Sequence, residues 1–324
     1  MLRRTLFTLF VILPLAFVVG FGCISKDGTQ VPWPETPGPR VVVTFAPLYS
    51  FVKSVMGDRG HIKTILETTG PHEYHPTFDD ARTIDGADLF FFNGLNLEGN
   101  LISTIQNARP HTKVKFIDLG GKLDKNTLLD DEDTHGNSGD AHGYDPHVWL
   151  GINNAKRMVE AIRDELKAFD PSCAGEYDRN AAAYVAKLEQ LKVDGRKLLS
   201  CIPEANRKFV AMHDSLGYFV KSFGLRIEGV IELSPGQEPS RMELDKLIET
   251  CTKKKVRVIA LEPQYASAGG ARTLERELKR RGLNPVLVVI DPLETATPDE
   301  FSADLYEKVM RSNLAILAEA LKNQ

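Results

Sequence analysis

The amino-acid sequence predicts an α/β fold, with two parallel-sheet α/β lobes joined by one long linker helix. Short runs of β-branched and aromatic residues alternate with amphipathic segments, which is typical of βαβ units and parallel sheets. A length of 324 residues indicates about two domains. Residues 171–200 begin with Asp170-Pro171 and contain no further proline, so they can form a single helix that bridges the lobes.

The N-terminal segment is predicted to be an export signal followed by a tether. Arg3 and Arg4 precede an apolar run that has the length of a secretory signal and is shorter than a membrane-spanning helix. We therefore expect a signal peptide at residues 1–23 and a proline-rich, extended tether at residues 24–39. A tether after a single cysteine, Cys23, resembles a bacterial lipoprotein. The exported protein is thus expected in the periplasm, or held at the membrane by a lipid on Cys23.

Eight β-strands are predicted, four in an N-terminal lobe of residues 40–170 and four in a C-terminal lobe of residues 201–324. The strands are expected at Val41–Phe45, Ile62–Leu66, Asp88–Phe92, Val114–Leu119, Lys208–Met212, Leu225–Ile231, Val256–Leu261 and Val286–Ile290. Besides the linker at residues 171–200, helices are expected at Leu48–Met56, Leu97–Ala108, Asn154–Phe169, Leu216–Phe223, Met242–Lys253, Arg272–Arg281 and Pro298–Leu321.

Composition and charge exclude two classes of protein. With 42% hydrophobic and 26% charged residues, the chain is too apolar to be intrinsically disordered. Forty basic and 44 acidic side chains give a net charge of −4 without a basic stripe, so no nucleic-acid partner is expected. Disulfides are permitted outside the cytoplasm, but three cysteines follow the tether (Cys173, Cys201 and Cys251), so one of them stays unpaired in a monomer.

The sequence lacks the motifs of common hydrolases and of phosphate-binding enzymes. His72-Glu73-Tyr74-His75 is one residue shorter than the His-Glu-x-x-His helix of zinc hydrolases and lies between prolines. Neither a Gly-x-Ser-x-Gly nucleophile turn nor a phosphate-binding glycine-rich loop is present. We therefore expect a binding protein and not an enzyme.

Histidines and one aspartate follow the predicted strands, where parallel sheets bind ligands. His72 lies after the second strand, His147 at the end of a long polar loop, His213 directly after the fifth strand and Asp291 directly after the eighth. Three imidazoles and a carboxylate form a complete ligand set for a borderline-soft divalent ion. The four residues are far apart in sequence and match no local metal-finger spacing. They predict a metal site only if the fold brings the strand ends together.

At these segments the chain resembles the zinc and manganese solute-binding proteins of bacterial ABC importers, most closely the zinc-uptake type. The resemblance extends over nearly all of the chain after the signal. The segments that carry it include Val41–Leu48, Pro71-His72-Glu73-Tyr74, Asn93-Gly94 with Glu98, Asp145-Pro146-His147-Val148-Trp149, His213-Asp214-Ser215-Leu216-Gly217, Glu262-Pro263-Gln264 and Asp291-Pro292-Leu293. So many ordered matches do not arise by chance.

This resemblance implies a fold, a site and a partner. The family has two α/β lobes bridged by a long helix, with the metal in the cleft between the lobes. Its ligands fall on His72, His147, His213 and Asp291 of this sequence. A protein of this kind is a monomer that captures its ion outside the cytoplasm and delivers it to the membrane permease of an ABC importer.

The ligand types favour Zn²⁺ over Mn²⁺. Neutral imidazoles suit Zn²⁺, whereas Mn²⁺ favours oxygen ligands and higher coordination numbers. Manganese importers of the family tend to have Glu at the third ligand, where this chain has His213. Zinc-specific members often carry a long His-rich loop, whereas residues 130–144 form a short acidic segment with His135 and His142. These two histidines are candidates for auxiliary metal capture; the alternative is a solvated acidic loop.

Residues that orient the ligands are also expected, because a metal-binding imidazole needs a carboxylate or carbonyl to fix its tautomer. Glu262, at a strand end, is the first candidate and Asp214 the second. His75 stands where relatives often have an acidic residue, and it is a further candidate near the cleft. Three alternatives stay open: a manganese-binding homologue, a metal-binding adhesin of the same fold, and a siderophore- or haem-binding protein.

Overall fold

The structure, a computed structural model, describes residues 32–72, 74–108, 111–130, 143–232, 236–265 and 269–322. The predicted signal peptide with Cys23, the first half of the tether, and His135 and His142 lie outside the described residues. Within the described residues, no helix is both long and apolar enough to span a bilayer.

The N-terminal lobe is built on a parallel sheet of four strands. These are β1 (Arg40–Val43), β2 (His61–Thr64), β3 (Leu89–Phe92) and β4 (Lys115–Asp118), in the order β2-β1-β3-β4. All four residues of β3 are buried, as expected for a parallel strand that is covered on both faces. The helices of this lobe are α1 (Ala46–Met56), α2 (Phe78–Asp85), α3 (Gly99–Ala108) and α4 (Ile152–Phe169).

A single long helix, α5 (Ala174–Ser200), separates the two sheets in the chain. It is preceded by one 3-10 turn at Pro171–Cys173, so the predicted linker of residues 171–200 is one turn shorter as an α-helix. At 27 residues it is about 40 Å long.

The C-terminal lobe repeats the same sheet topology. Its strands are β5 (Lys208–Ala211), β6 (Arg226–Val230), β7 (Val258–Leu261) and β8 (Val286–Val289), all parallel and in the order β6-β5-β7-β8. The helices are α6 (Gly217–Phe223), α7 (Arg241–Lys254), α8 (Gly269–Arg280) and α9 (Leu305–Lys322). The two parallel sheets and their flanking helices confirm the predicted α/β class.

One hydrophobic core extends across both lobes. Phe51 of α1 and Tyr306 of α9 are fully buried, and their ring centroids lie 4.9 Å apart. Trp149 Nε1–H donates to the carbonyl of Pro292 at 2.7 Å, and the Tyr306 hydroxyl donates to the carbonyl of Trp149 at 2.7 Å. These buried contacts join segments of both lobes, so they hold the two sheets in a fixed relation around the strand ends.

The three cysteines that follow the tether are free thiols. Cys173 is half-buried, Cys201 is exposed and Cys251 is buried, and burial raises the pKa of the Cys251 thiol to about 12. No disulfide therefore links these residues.

Candidate metal centre

Three imidazoles and one carboxylate meet at the carboxyl ends of the strands. His72 lies in the loop after β2, His147 in the turn before α4, His213 in the segment after β5 and Glu294 in the turn after β8. One potential ligand atom from each lies within 4.8 Å of all the others. These four side chains, here called the His3Glu cluster, come from both lobes. The cluster exists because two separate parallel sheets direct their carboxyl ends to the same place.

The three imidazoles approach one another through their Nε2 atoms. The Nε2 atom of His147 is 3.0 Å from that of His72 and 3.4 Å from that of His213. The side chains of His147 and His213 are 5% and 3% exposed, whereas that of His72 is 24% exposed. His72 therefore forms the solvent-facing side of the cluster.

The carboxylate of Glu294 completes the cluster from the buried side. Its Oε1 atom lies 3.5 Å from Nε2 of His147, 3.5 Å from Nε2 of His213 and 3.8 Å from Nε2 of His72. The side chain is 1% exposed, and Oε1 is a buried oxygen without a hydrogen-bond partner. A buried carboxylate oxygen without a partner is costly, so this atom indicates a cation at the centre of the cluster.

Five of the six distances between the four atoms are close to those around a tetrahedral ion. Zn²⁺ binds nitrogen and carboxylate oxygen at about 2.0–2.2 Å, and a tetrahedron with such bonds has edges of about 3.3–3.6 Å. The nitrogen-to-nitrogen distances of 3.0 and 3.4 Å and the nitrogen-to-oxygen distances of 3.5 to 3.8 Å lie around that range. The remaining pair, His72 and His213, has its ligand atoms within 4.8 Å of each other, and a shift of these side chains toward the ion would complete a four-ligand site.

Two further carboxylates fix the orientation of the buried imidazoles. Asp145 Oδ1 accepts from Nδ1–H of His147 at 2.8 Å and also from the backbone N–H of His147 at 2.9 Å. Glu262 Oε1 accepts from Nδ1–H of His213 at 2.7 Å. With Nδ1 engaged in this way, Nε2 is the nitrogen that faces the ion in both residues.

The charges of the cluster suit a divalent cation. Burial alone would lower the pKa of His147, but the nearby carboxylates of Asp145 and Glu294 outweigh it and raise that pKa to about 9. Burial also lowers the pKa of His213, but the carboxylates of Glu262 and Glu294 outweigh it and raise that pKa to about 10. Burial lowers the pKa of His72 to about 4. Burial would raise the pKa of Glu294, but the two protonated imidazoles hold it well below its usual range. Without an ion, the protons on His147 and His213 therefore supply the positive charge that balances Glu294.

The turn that carries Glu294 is built around Asp291. Asp291 Oδ1 accepts from the backbone N–H of Leu293 at 2.7 Å, and Leu293 has a left-handed φ of 63°. Asn313 of α9 holds the backbone of Asp291 from both sides, accepting from its N–H at 3.0 Å and donating to its carbonyl at 2.7 Å. The reversal at Leu293 brings Glu294 back toward the imidazoles.

A buried carboxylate also supports the loops of the N-terminal lobe. Glu98 Oε1 accepts from the Thr44 hydroxyl at 2.7 Å and from the backbone N–H of Asn93 at 2.8 Å. Asn93 Nδ2–H in turn donates to the carbonyl of Pro146, the residue before His147, at 2.8 Å. Gly94 has a φ of 80°, and a Cβ atom there would lie 1.9 Å from Asp118 Oδ1, so only glycine fits. This network positions the segment that presents His147.

The cluster includes three of the four ligands predicted from the sequence. His72, His147 and His213 lie together, but the fourth member is Glu294 and not Asp291, whose carboxylate is engaged by the Leu293 N–H. Glu262, the first candidate for orienting a ligand, accepts from His213 Nδ1–H. His75 is exposed and is not part of the His3Glu cluster.

Sequence reasoning missed two acidic residues at the site. Asp145 stands two residues before His147, a spacing at which an Asp side chain commonly accepts from a nearby backbone N–H, and this signal was available. Glu294 lies three residues beyond Asp291. No local sequence pattern predicts the turn at Leu293 that directs Glu294 toward the imidazoles.

Comparisons with known proteins find zinc-binding relatives. The chain is 34% identical over 289 residues to "Zinc-binding lipoprotein AdcA" of Streptococcus pneumoniae, covering 86% of this chain and 55% of that one, so it spans about half of that relative's length. The crystal structure of Zn(II)-bound AdcA superposes with a TM-score of 0.70 at 33% identity, over 88% of this chain and 58% of that chain.

Two other relatives match along most of their own length. The "High-affinity zinc uptake system protein ZnuA" of Bacillus subtilis is 30% identical over 289 residues, which cover 87% of each chain. The laminin-binding protein of Streptococcus agalactiae, described as having adhesin and metal transporting activity, is 28% identical with a TM-score of 0.74 over 88% of this chain and 100% of that chain. The model of the family described as zinc-uptake complex component A, periplasmic, matches residues 41–320. The resemblance seen in the sequence is thereby confirmed, and the chain belongs to this zinc-uptake family.

Proposed function

We propose that this protein captures one Zn²⁺ ion with His72, His147, His213 and Glu294 and delivers it to the membrane permease of an ABC importer. The observation that carries the proposal is the convergence of three Nε2 atoms on the unpartnered, buried Oε1 of Glu294. Zn²⁺ is the cargo here, and the protein supplies a preformed ligand set that replaces the water around the ion.

The arrangement favours Zn²⁺ over Mn²⁺ for a geometric and a chemical reason. Three imidazole nitrogens and one carboxylate oxygen match the ligand preference of Zn²⁺, and four atoms at tetrahedral spacing match its usual coordination number. Mn²⁺ favours more oxygen ligands and a larger coordination number. A manganese-binding protein of the same fold is therefore the less favoured alternative.

The setting of the function is part of the proposal. The names of the relatives AdcA and ZnuA describe a zinc-binding lipoprotein and a zinc uptake system protein, which supports an exported protein that serves an importer. The predicted export signal also supports a location outside the cytoplasm. The protein is then either free in the periplasm or held at the membrane by a lipid on Cys23. The description of the laminin-binding relative also includes adhesin activity. We do not propose adhesion for this chain, because the His3Glu cluster supports only metal capture.

Metal analysis of the purified protein tests the proposed function. We expect elemental analysis to find about one zinc per chain, because the cluster has one set of four ligands. Competition titration of the metal-free protein at pH 7 should give tighter binding of Zn²⁺ than of Mn²⁺. A bound organic ligand in place of a metal, or equal binding of the two ions, would contradict the proposal.

Zinc binding is expected to release protons at pH 7. His147 and His213, with pKa values of about 9 and 10, are protonated in the metal-free protein, and both must lose a proton to coordinate the ion. His72 and Glu294 already lack their protons at this pH. The affinity should therefore fall as the pH is lowered below about 10, and about two protons should be released per ion at pH 7. Calorimetry in buffers of different ionisation enthalpy measures this number.

Asp145→Asn is the matched variant for this measurement. It removes the charge that raises the pKa of His147 and retains an oxygen that can accept from Nδ1–H. Fewer protons should then be released per ion. A wild-type protein that released no protons at pH 7 would show that the two histidines are already neutral.

A further inference from the structure

The second carboxylate oxygen of Glu294 is held away from the cluster by Gln264. This residue follows β7, two positions after Glu262. Its Nε2 atom lies 3.3 Å from Oε2 of Glu294 and 3.3 Å from Oε2 of Glu262. Carboxylate oxygens only accept hydrogen bonds, so the amide nitrogen of Gln264 must face both of them. The amide oxygen points elsewhere and is buried without a partner.

One amide group thus links two buried anions. Glu262 and Glu294 are each 1% exposed, and the two hydrogens on Nε2 of Gln264 serve one carboxylate each. Without this donor, two adjacent buried carboxylates would lose a shared partner, which is unfavourable for both. Gln264 therefore fixes the rotation of the Glu294 carboxylate. Oε2 is bound to the amide, and Oε1 alone faces the three imidazoles.

We propose that Gln264 is a positioning residue that keeps Glu294 bound to the ion through a single oxygen and thereby selects Zn²⁺ against Mn²⁺. The inference rests on the proposed function and adds the residue that sets its ion specificity. With Oε2 engaged, the site offers four donors, which is the usual number for Zn²⁺. A carboxylate free to bind through both oxygens would offer a fifth donor, an oxygen, which moves the site toward the preference of Mn²⁺.

Gln264→Met tests this directly, because methionine keeps the length of the side chain and removes the amide donor. Outer partners of metal ligands are typically worth about 10–100-fold in affinity. We expect Zn²⁺ affinity to fall by about tenfold and Mn²⁺ affinity to stay the same or rise, so that the Zn²⁺/Mn²⁺ affinity ratio falls by at least about tenfold. With Co²⁺ as a spectroscopic probe, the strong visible absorption of a four-coordinate ion should weaken as a fifth donor binds.

Two comparison variants make the result specific. Gln190→Met makes the same replacement on the exposed face of α5, where Gln190 contacts Asp194, and should leave both affinities unchanged. Ser215→Ala removes a hydroxyl that donates to Oε1 of Glu262 at 3.3 Å. This variant should keep the Zn²⁺/Mn²⁺ ratio and the Co²⁺ spectrum even if both affinities decline.

Several outcomes would overturn the inference. Equal losses of Zn²⁺ and Mn²⁺ affinity in Gln264→Met, with an unchanged Co²⁺ spectrum, would mean that Gln264 only supports the fold. If that variant does not fold, X-ray absorption of the zinc-loaded wild-type protein decides. It should show three nitrogens and one oxygen, and a second carboxylate oxygen on the ion would overturn the proposal. A wild-type protein that binds no zinc would instead refute the proposed function and this inference with it.

Discussion

Replacing His147 or His213 with alanine is expected to weaken Zn²⁺ binding by more than about 100-fold, because even the outer partners of metal ligands are worth about 10–100-fold. Each substitution removes one of four ligands from a nearly fully buried site, where water cannot easily take the vacant position. His72→Ala should cost less, because its side chain is 24% exposed and solvent can reach the ion from that side. Calorimetry or chelator competition on the three variants measures the order.

The other histidines provide the controls for this experiment. His75 is exposed outside the His3Glu cluster, so His75→Ala should bind zinc as the wild type does. His135→Ala and His142→Ala test the auxiliary role predicted for the acidic segment and should lose far less affinity than His147→Ala. If the variants of that segment lost more, the ion would bind there and not at the cluster.

Glu294→Ala is expected to lower Zn²⁺ affinity by more than about 100-fold, whereas Asp291→Asn should lower it by less than about tenfold. Alanine at position 294 removes the only carboxylate of the His3Glu cluster and leaves a neutral ligand set. Asparagine at position 291 keeps an oxygen that can accept from the Leu293 N–H, so the turn that carries Glu294 is maintained.

Titration of these two variants with Zn²⁺ under the same conditions decides between Glu294 and Asp291. Thermal unfolding of the metal-free proteins is the accompanying control, since both residues lie in the same turn after β8. A larger loss in Asp291→Asn than in Glu294→Ala would restore Asp291 as the fourth ligand.

The fold could be predicted from the sequence because short segments with β-branched and aromatic residues alternate with amphipathic segments along the chain. All eight predicted strands are present, although each is shorter than predicted. Helix α2 was missed because it buries only Asp80, Ala81 and Ile84, so its apolar periodicity is weak. A local signal did exist: Thr77 and Asp80 form a capping box that marks the start of this helix.

The three histidines could be predicted because of where they stand relative to the strands. Residues that follow parallel strands collect at one edge of a sheet, and this holds for any sequence with the fold. The same reasoning could not choose between Asp291 and Glu294. That choice depends on the left-handed backbone of Leu293, a conformation that leucine rarely adopts and that Asn313, 22 residues away, helps to hold. The contact of Gln264 with Glu294 could not be predicted either, because it joins two turns that are 30 residues apart in the sequence.

The core shared by the lobes has a consequence for how the chain reaches its folded state. Ser50 of α1 donates to the carbonyl of Ser302, a residue 252 positions later, and Tyr306 of α9 covers Phe51 of α1. The apolar face of α1 is therefore completed only by a helix synthesised long after it. Contacts between such distant residues slow folding, because a long loop must close before they form. The first lobe is therefore expected to complete its core only after α9 has been synthesised.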